Sequence, residues 1–355
     1  MGFASLNTSQ PRDEVPRAAA ASARGAGAGY EAATRSAGVR ALDGRIVVRV
    51  AGDDRASFLH GMCSNDVVGA APGTVVPALF LTEHAHVIAD CFLWITPGAI
   101  LLEIESALWT RVRAHLERLL VADDVEFELE EGDPLTVIEV EGARGRDAIA
   151  GAVASGAADG GACAALEEWR HASAGDLMIA NLPRFGAPAY SILAPASKVE
   201  SIIAKLIAAV PGAGAIGVDV LETIRIENGI ARVGVDTGEK TIALEARMER
   251  AISFSKGCYL GQETIERATA RGGLKKRLVG IRFGGERLPG VGAKIKLGGK
   301  EVGVVSSVAR SPRFGAIGLA IVQQAAWATG ATVTIVAAGE NPVEIEGQVS
   351  ELPCK

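Results

Sequence analysis

The sequence predicts an α+β region followed by a small all-β barrel, and three observations carry that expectation. Strand-like runs alternate with amphipathic helical runs through the first two thirds of the chain, in the strand, helix, strand, strand, helix order of a split βαβ unit. From Lys276 onward the texture changes to short β-branched runs spaced by glycine, proline and asparagine. The length of 355 residues, 48% of them hydrophobic, exceeds one compact core and asks for two or three domains.

In chain order, residues 1–29 are rich in Ala, Gly, Ser and Arg and read as a disordered tail. Residues 45–50 form a β-branched strand ending at Gly52, and Asp53 is placed to cap a helix over 55–61. Residues 75–81, 87–95 and 99–105 read as strands, the last two joined at Thr96-Pro97-Gly98. Ser106 is placed to cap an amphipathic helix whose apolar face is Leu108, Val112, Leu116, Leu119 and Leu120. A break falls near 130–135. The second unit has a strand at 135–140, a helix at 144–154, strands at 177–180 and 189–193, and a helix at 197–210. A further helix over 216–228 contains Glu222 and Arg225, an i, i+3 pair worth a few tenths of a kcal/mol on a surface. The barrel strands are expected at 278–283, 293–297, 302–308, 316–321, 332–336 and 343–349. Gly272-Gly273 is the expected hinge, so the domains divide as 1–29, 30–275 and 276–355.

Composition excludes several functions. A net charge of −6 gives no overall attraction to nucleic acid or an anionic membrane. Five dispersed cysteines without a CxxC pair argue for a reducing compartment, taken as the cytoplasm, and against a disulfide framework. No apolar run has the length of a membrane span, and the first residues lack a secretory h-region. The five histidines show no metal-binding pattern, so no metal site is expected.

The most informative segment is Lys256-Gly257-Cys258-Tyr259-Leu260-Gly261-Gln262-Glu263. Gly257 permits a tight turn before the helical run that follows. A cysteine at a helix start meets unpaired N–H groups, and Lys256 adds a cation; both favour thiolate. The competing reading is a buried cysteine acting as a small apolar side chain. A lone cysteine cannot hold an iron–sulfur cluster, which takes four thiolates. Tyr259 and Gln262 either orient the thiol or serve packing and surface roles.

This string closely resembles the signature of the YgfZ-type folate-binding proteins. These are relatives of the T-protein (aminomethyltransferase) of the glycine cleavage system that work in iron–sulfur cluster maintenance. The resemblance extends over about residues 30–353. It includes Arg225-Ile226-Glu227-Asn228-Gly229, Gly234-Val235-Asp236, Leu244-Glu245-Ala246 and Arg271-Gly272-Gly273-Leu274-Lys275-Lys276-Arg277. Near the start it includes Gly52-Asp53-Asp54, Phe58-Leu59-His60-Gly61 and Ser64-Asn65-Asp66-Val67.

The resemblance implies a T-protein-like fold, tetrahydrofolate or another reduced folate as cofactor, and iron–sulfur assembly or client proteins as partners. It implies Glu227 on the pterin ring, where a carboxylate matches adjacent N–H donors. It implies Asp90, a carboxylate in an apolar strand, near the reactive folate nitrogens. Lys256 joins these as a folate-binding residue, and Cys258 is the expected catalytic residue at the mouth of the cavity. The cluster Arg267, Arg271, Lys275, Lys276 and Arg277 is either a solvated face or a seat for folate's glutamate carboxylates. The Gly/Tyr-rich segment that helps close the T-protein aminomethyl site is not recognisable around 182–191, where only Arg184 and Tyr190 echo it. Aminomethyl transfer and a non-catalytic scaffold are the alternatives.

Overall fold

A computed structural model describes residues 23–153, 163, 165–186, 188–270, 273–285, 287–337 and 343–354. Helix α1 (Ala23–Arg35) leads into β1 (Gly38–Ala41). Then come β2 (Arg45–Ala51), α2 (Arg55–Met62), β3 (Val75–Leu81), β4 (Val87–Ile95), β5 (Ile100–Glu105), α3 (Ser106–Glu117) and β6 (Glu126–Glu128). Next are β7 (Leu135–Glu141), α4 (Gly145–Val153), β8 (His171–Ala174), β9 (Leu177–Asn181), β10 (Ala189–Pro195), α5 (Val199–Ala209), β11 (Gly214–Ala215) and α6 (Val218–Glu227). Helix α7 (Gln262–Ala270) precedes β12 (Lys276–Phe283), β13 (Lys294–Leu297), β14 (Lys300–Ser311), β15 (Gly315–Gln323), β16 (Thr332–Val336) and β17 (Glu344–Ser350).

These strands make two sheets and a closed barrel. The first sheet has the order β3-β4-β5-β2-β6, the second β11-β1-β7-β10-β9-β8, and the barrel β12-β15-β14-β13-β16-β17. The two sheets pack face to face, and the alternation of side chains along β4 shows how. Cys91, Leu93 and Ile95 enter the core under α2 and α3. Phe92 and Trp94 point the other way, against Val137, Ala180, Leu182 and Leu193 of the second sheet. Asp90 shares the parity of Phe92 and Trp94, so it belongs to the face between the sheets. On β7, Ile138 and Val140 pack under α4 and α5, while Val137 faces the first sheet. Glu139 and Glu141 have the parity of Val137, which brings two carboxyl groups into the same layer.

Several expectations need correcting. Residues 23–29 of the expected tail belong to α1, and residues 1–22 lie outside the described residues. Alanine-rich sequence favours helix, and Ala32 and Ala33 gain burial against Ile216, Val220, Leu221 and Ile224. Asp53 does not cap α2: the flanking residue is Asp54, without a side-chain cap. The two aspartates instead tie down Asp124, whose carboxylate accepts from Asp53 N at 2.9 Å and whose N donates to Asp54 Oδ2 at 2.9 Å. Helix α3 starts at Ser106 itself, with Glu105 flanking it and no side-chain cap. Gly272 of the expected hinge lies outside the described residues. Among the described residues no helix is long and apolar enough to cross a membrane.

Candidate functional site

Where the two sheets, the end of α6 and the start of the barrel meet, they enclose a cavity of about 1010 Å³. Asp90 lines it, half-buried, with Phe92 two residues on. The Phe92 ring is buried, with the guanidinium groups of Arg45 and Arg184 at 5.4 and 4.4 Å from its centroid and Trp169 stacked on it at 6.4 Å. These contacts fix the ring in place.

Behind that wall lies a buried ionic network. Glu103 accepts from Arg45 Nε at 2.5 Å, Arg184 Nη2 at 2.7 Å and Trp94 Nε1 at 3.2 Å. Burial alone would raise its carboxyl, but Arg184 and Arg45 outweigh that and hold it below the ordinary range. Glu139 shares the same arginine, at 3.1 Å, and accepts from Ser191 Oγ at 2.6 Å. There burial wins over Arg184, and the carboxyl is pushed up to about 7. Arg184 keeps one buried nitrogen, Nη1, without a partner among the described residues.

The opposite wall is richer in arginine. Arg225 is only 1% exposed, and the surface ion pair expected with Glu222 is in fact part of a buried network. Its Nη1 donates to Asp236 Oδ2 and Ile230 O, both at 2.6 Å. Its Nη2 donates to Ser307 Oγ at 2.8 Å and Glu222 Oε2 at 2.9 Å. One side chain thus ties α6, the following loop and barrel strand β14 together. Arg247 adopts a left-handed backbone with φ 56°, a strained state for a non-glycine residue. Its Nη1 reaches only Leu352 O at 3.4 Å, and its buried Nε has no partner among the described residues. Burial and the neighbouring Arg277 both lower its affinity for a proton, as expected where a counter-anion would be welcome. Around the whole cavity, arginines 40, 45, 184, 225, 232, 247, 250 and 277 face carboxylates 43, 90, 105, 222 and 249: eight cations against five anions.

The sequence-predicted residues separate on this map. Asp90 lies in the cavity, whereas Glu227 does not line it. The Glu227 carboxylate accepts from Tyr30 Oη at 2.8 and 2.9 Å and from Ser311 Oγ at 2.5 Å, in a second cavity on the far side of α6. Lys256 is not in the central cavity either. Its ammonium donates to the carbonyls of His60, Cys63 (2.9 Å) and Asn65 (3.0 Å), which uses all three of its donors at the end of α2. Of the expected basic cluster, Arg277 lines the cavity, Arg267 pairs with Glu263, and Arg271 lies outside the described residues.

The motif loop also differs from expectation. Helix α7 starts at Gln262, four residues beyond Cys258, so its first turn does not supply the thiol with free N–H groups. Cys258 is exposed and does not line the cavity, while Cys63, Cys91, Cys163 and Cys354 are buried. The glycine the backbone requires is Gly261, with φ 89° and Thr82 O only 2.7 Å from where a Cβ would sit. Gly257 has open space around it. Tyr259 is buried under the Lys256 ammonium, 4.9 Å from its ring centroid, and burial pushes its phenol up to about 12. Gln262 Oε1 accepts from Tyr259 N at 3.3 Å, so both side chains brace the loop rather than reach the thiol. Among the described residues no cluster of three His, Cys, Asp or Glu could hold a metal ion.

The GCVT N-terminal domain family matches residues 16–256, and the glycine cleavage T-protein C-terminal barrel domain matches residues 276–354. The chain belongs to the glycine cleavage T-protein family. Its T-protein fold is also seen in the glycine cleavage system aminomethyltransferase T from Bartonella henselae. That structure superposes with a TM-score of 0.80 at 18% identity, over 92% of this chain and 88% of the other. An aminomethyltransferase from Rubrobacter xylanophilus is 27% identical over 82% of this chain and 78% of its own. A mitochondrial homolog of the iron–sulfur cluster assembly factor IBA57, from Phaeosphaeria nodorum, is 28% identical over 71% of this chain and 58% of its own.

Three cavity residues have no counterpart among the sequence-predicted ones. Phe92 was legible as the apolar neighbour of Asp90 at i+2. Arg184 was visible only as an echo of the T-protein segment that closes the aminomethyl site, with no role assigned to it, and Arg247 carried no local signal, because its strain and its missing partner are properties of the assembled fold.

Proposed function

We propose that this chain is a tetrahydrofolate-binding accessory protein of iron–sulfur cluster assembly or repair, of the YgfZ type, working in the cytoplasm. The observation that carries the reading is the cavity's polarity: Asp90 on one wall, and Arg247, whose Nη1 makes a single long hydrogen bond, beside Arg277 on another. Asp90 suits the pterin and its adjacent nitrogens. The arginines suit the carboxylates of the glutamate tail. Reduced folate would supply a one-carbon or redox-active nitrogen centre; the protein's own residues bind and orient it. Kinship with an IBA57 homolog supports the iron–sulfur connection.

Cys258 faces solvent outside the cavity, which suits a thiol offered to a partner protein rather than to bound folate. The second reading, aminomethyl transfer, is favoured by relatives such as that of Rubrobacter xylanophilus. Calorimetry with tetrahydrofolate tests the ligand: binding that weakens in Arg247→Leu supports the cavity reading, and no heat with any reduced folate refutes it. A deletion strain complemented with Cys258→Ala tests the role. Loss of several iron–sulfur enzyme activities supports the accessory function, and ammonia release from an aminomethyl-lipoyl donor that survives Cys258→Ala installs the transferase instead.

A further inference from the structure

The first sheet sets two carboxyl groups side by side on the wall of the central cavity. Strands β4 and β5 pair in the antiparallel register Phe92↔Glu103 and Cys91↔Ile104, so Asp90 and Glu105 are the next opposed residues. On either side of them, Asp90 pairs with Leu79 of β3 and Glu105 with Arg45 of β2. All four residues of this row line the cavity. Like charges opposed across a sheet repel each other unless one of them keeps a proton.

Glu105 is the one placed to keep it. It makes no hydrogen bond or salt bridge among the described residues. It flanks the start of α3, where a side chain commonly caps the helix, yet it does not cap. The cations near it are spent on other carboxylates: Arg45 Nε on Glu103 at 2.5 Å, and Arg232 Nη1 on Glu222 of α6 at 2.7 Å. Burial first, then Asp90, raise the Glu105 carboxyl above its ordinary range, with a smaller push from Glu222 that Arg45 and Arg232 do not offset. Asp90 has a cation of its own. Arg250 donates to the carbonyls of Pro183 and Arg184, both at 3.1 Å, and Asp90 helps it hold its charge against burial.

Taking the folate reading of this cavity as given, we propose that Glu105 is a further ligand-binding residue, a carboxylic acid that donates a hydrogen bond to an acceptor of the bound folate while the Asp90 carboxylate beside it accepts from a donor. A pterin carries both kinds of group next to each other, a ring carbonyl beside ring and exocyclic N–H groups. An ionised Glu105 would set two acceptors against each other and leave the carbonyl without its donor. Binding therefore moves a proton from solvent onto Glu105 wherever the free chain has lost it, and affinity rises as pH falls. Glu139 titrates in a similar range, but it is bonded to Arg184 and Ser191 and does not line the cavity.

The test is calorimetry of tetrahydrofolate binding to the full chain at about pH 6 and about pH 8.5, in buffers of different ionisation enthalpy. Affinity should be at least threefold tighter at the lower pH, with net proton uptake at the higher one. Glu105→Gln, whose amide N–H replaces the acid O–H, should bind equally well at both, without proton uptake. In the isotope-labelled free chain, the carboxyl resonance that disappears in Glu105→Gln should titrate above an ordinary glutamate. Titration at or below the ordinary value overturns the proposal before any ligand is added. Binding without proton uptake, or a pH slope that persists in Glu105→Gln, overturns it and leaves the folate reading standing. No heat with any reduced folate at either pH overturns both.

Discussion

The central cavity and the KGCYLGQE loop use their cations in opposite ways. In the cavity, Arg184 and Arg247 are held by the fold yet keep nitrogens without partners. In the loop, Lys256 spends its ammonium on three backbone carbonyls, and the sulfur beside it is left in solvent. The two arginines leave donor capacity in the walls of a cavity, whereas the lysine has none left. The sequence signature is therefore the most conspicuous part of the chain without lining the central cavity.

The comparison can be broken in several ways. The largest effect is expected at Arg225, whose removal strands the Asp236 carboxylate in the interior. Arg225→Ala should cost about 3–5 kcal/mol in urea unfolding, whereas Cys258→Ala should stay within about 0.5 kcal/mol of the parent. Equal losses would erase the distinction between scaffold and presented thiol. Lys256→Met should cost about 1–3 kcal/mol, since it deprives carbonyls at the end of α2 of their donor. Tetrahydrofolate affinity should not change; a matching loss of affinity would return Lys256 to the binding site. Asp90→Asn and Arg247→Leu should do the reverse, weakening tetrahydrofolate by about 1–2 kcal/mol with little effect on the melt.

The smallest effect is a pH slope. Burial raises the carboxyls of Glu139, to about 7, and Glu141 above the ordinary value of 4.5. The native state then holds protons the unfolded chain gives up, so this contribution is full below about pH 4.5 and is lost as pH rises towards 7. The melting temperature should fall by a few degrees across that window, and the fall should flatten in Glu141→Gln. A rise instead would mean that Arg184 keeps both groups ionised.

Strand periodicity made much of the fold legible. Residues 75–81, 87–95 and 332–336 match β3, β4 and β16 to the residue, because each is an apolar or alternating run bounded by turn-forming residues. Helix α1 was hidden because glycine at 25, 27 and 29 argues against helix, while its stability comes from packing on Ile216 and Val220. The two-residue β11 is held by pairing with β1 and has no pattern of its own. At the site, Asp90 was visible as a carboxylate in an apolar strand. The placement of Glu227 was not, since Tyr30 lies 197 residues away and turns that carboxylate from the central cavity. The buried network of Arg225 depends likewise on Asp236 and Ser307, the latter 82 residues on in the barrel.

The first strand of the chain belongs to the second sheet, where β1 sits between β7 and β11, with Gly38 opposite both Glu141 and Gly214. As the polypeptide leaves the ribosome, the sheet β3-β4-β5-β2-β6 can close once residue 128 has emerged. Strand β1, made earlier, can then pair with β7 at residues 135–141, but its other neighbour, β11 at 214–215, and the residues at 216–224 that bury α1 are made much later. Contacts so distant in sequence are slow to form, and the waiting segment carries unpaired strand edges meanwhile. Helix α1, made before either sheet, thus gains the residues that bury it only once Ile216 to Ile224 have emerged, and β1 keeps one edge open until β11 pairs with it.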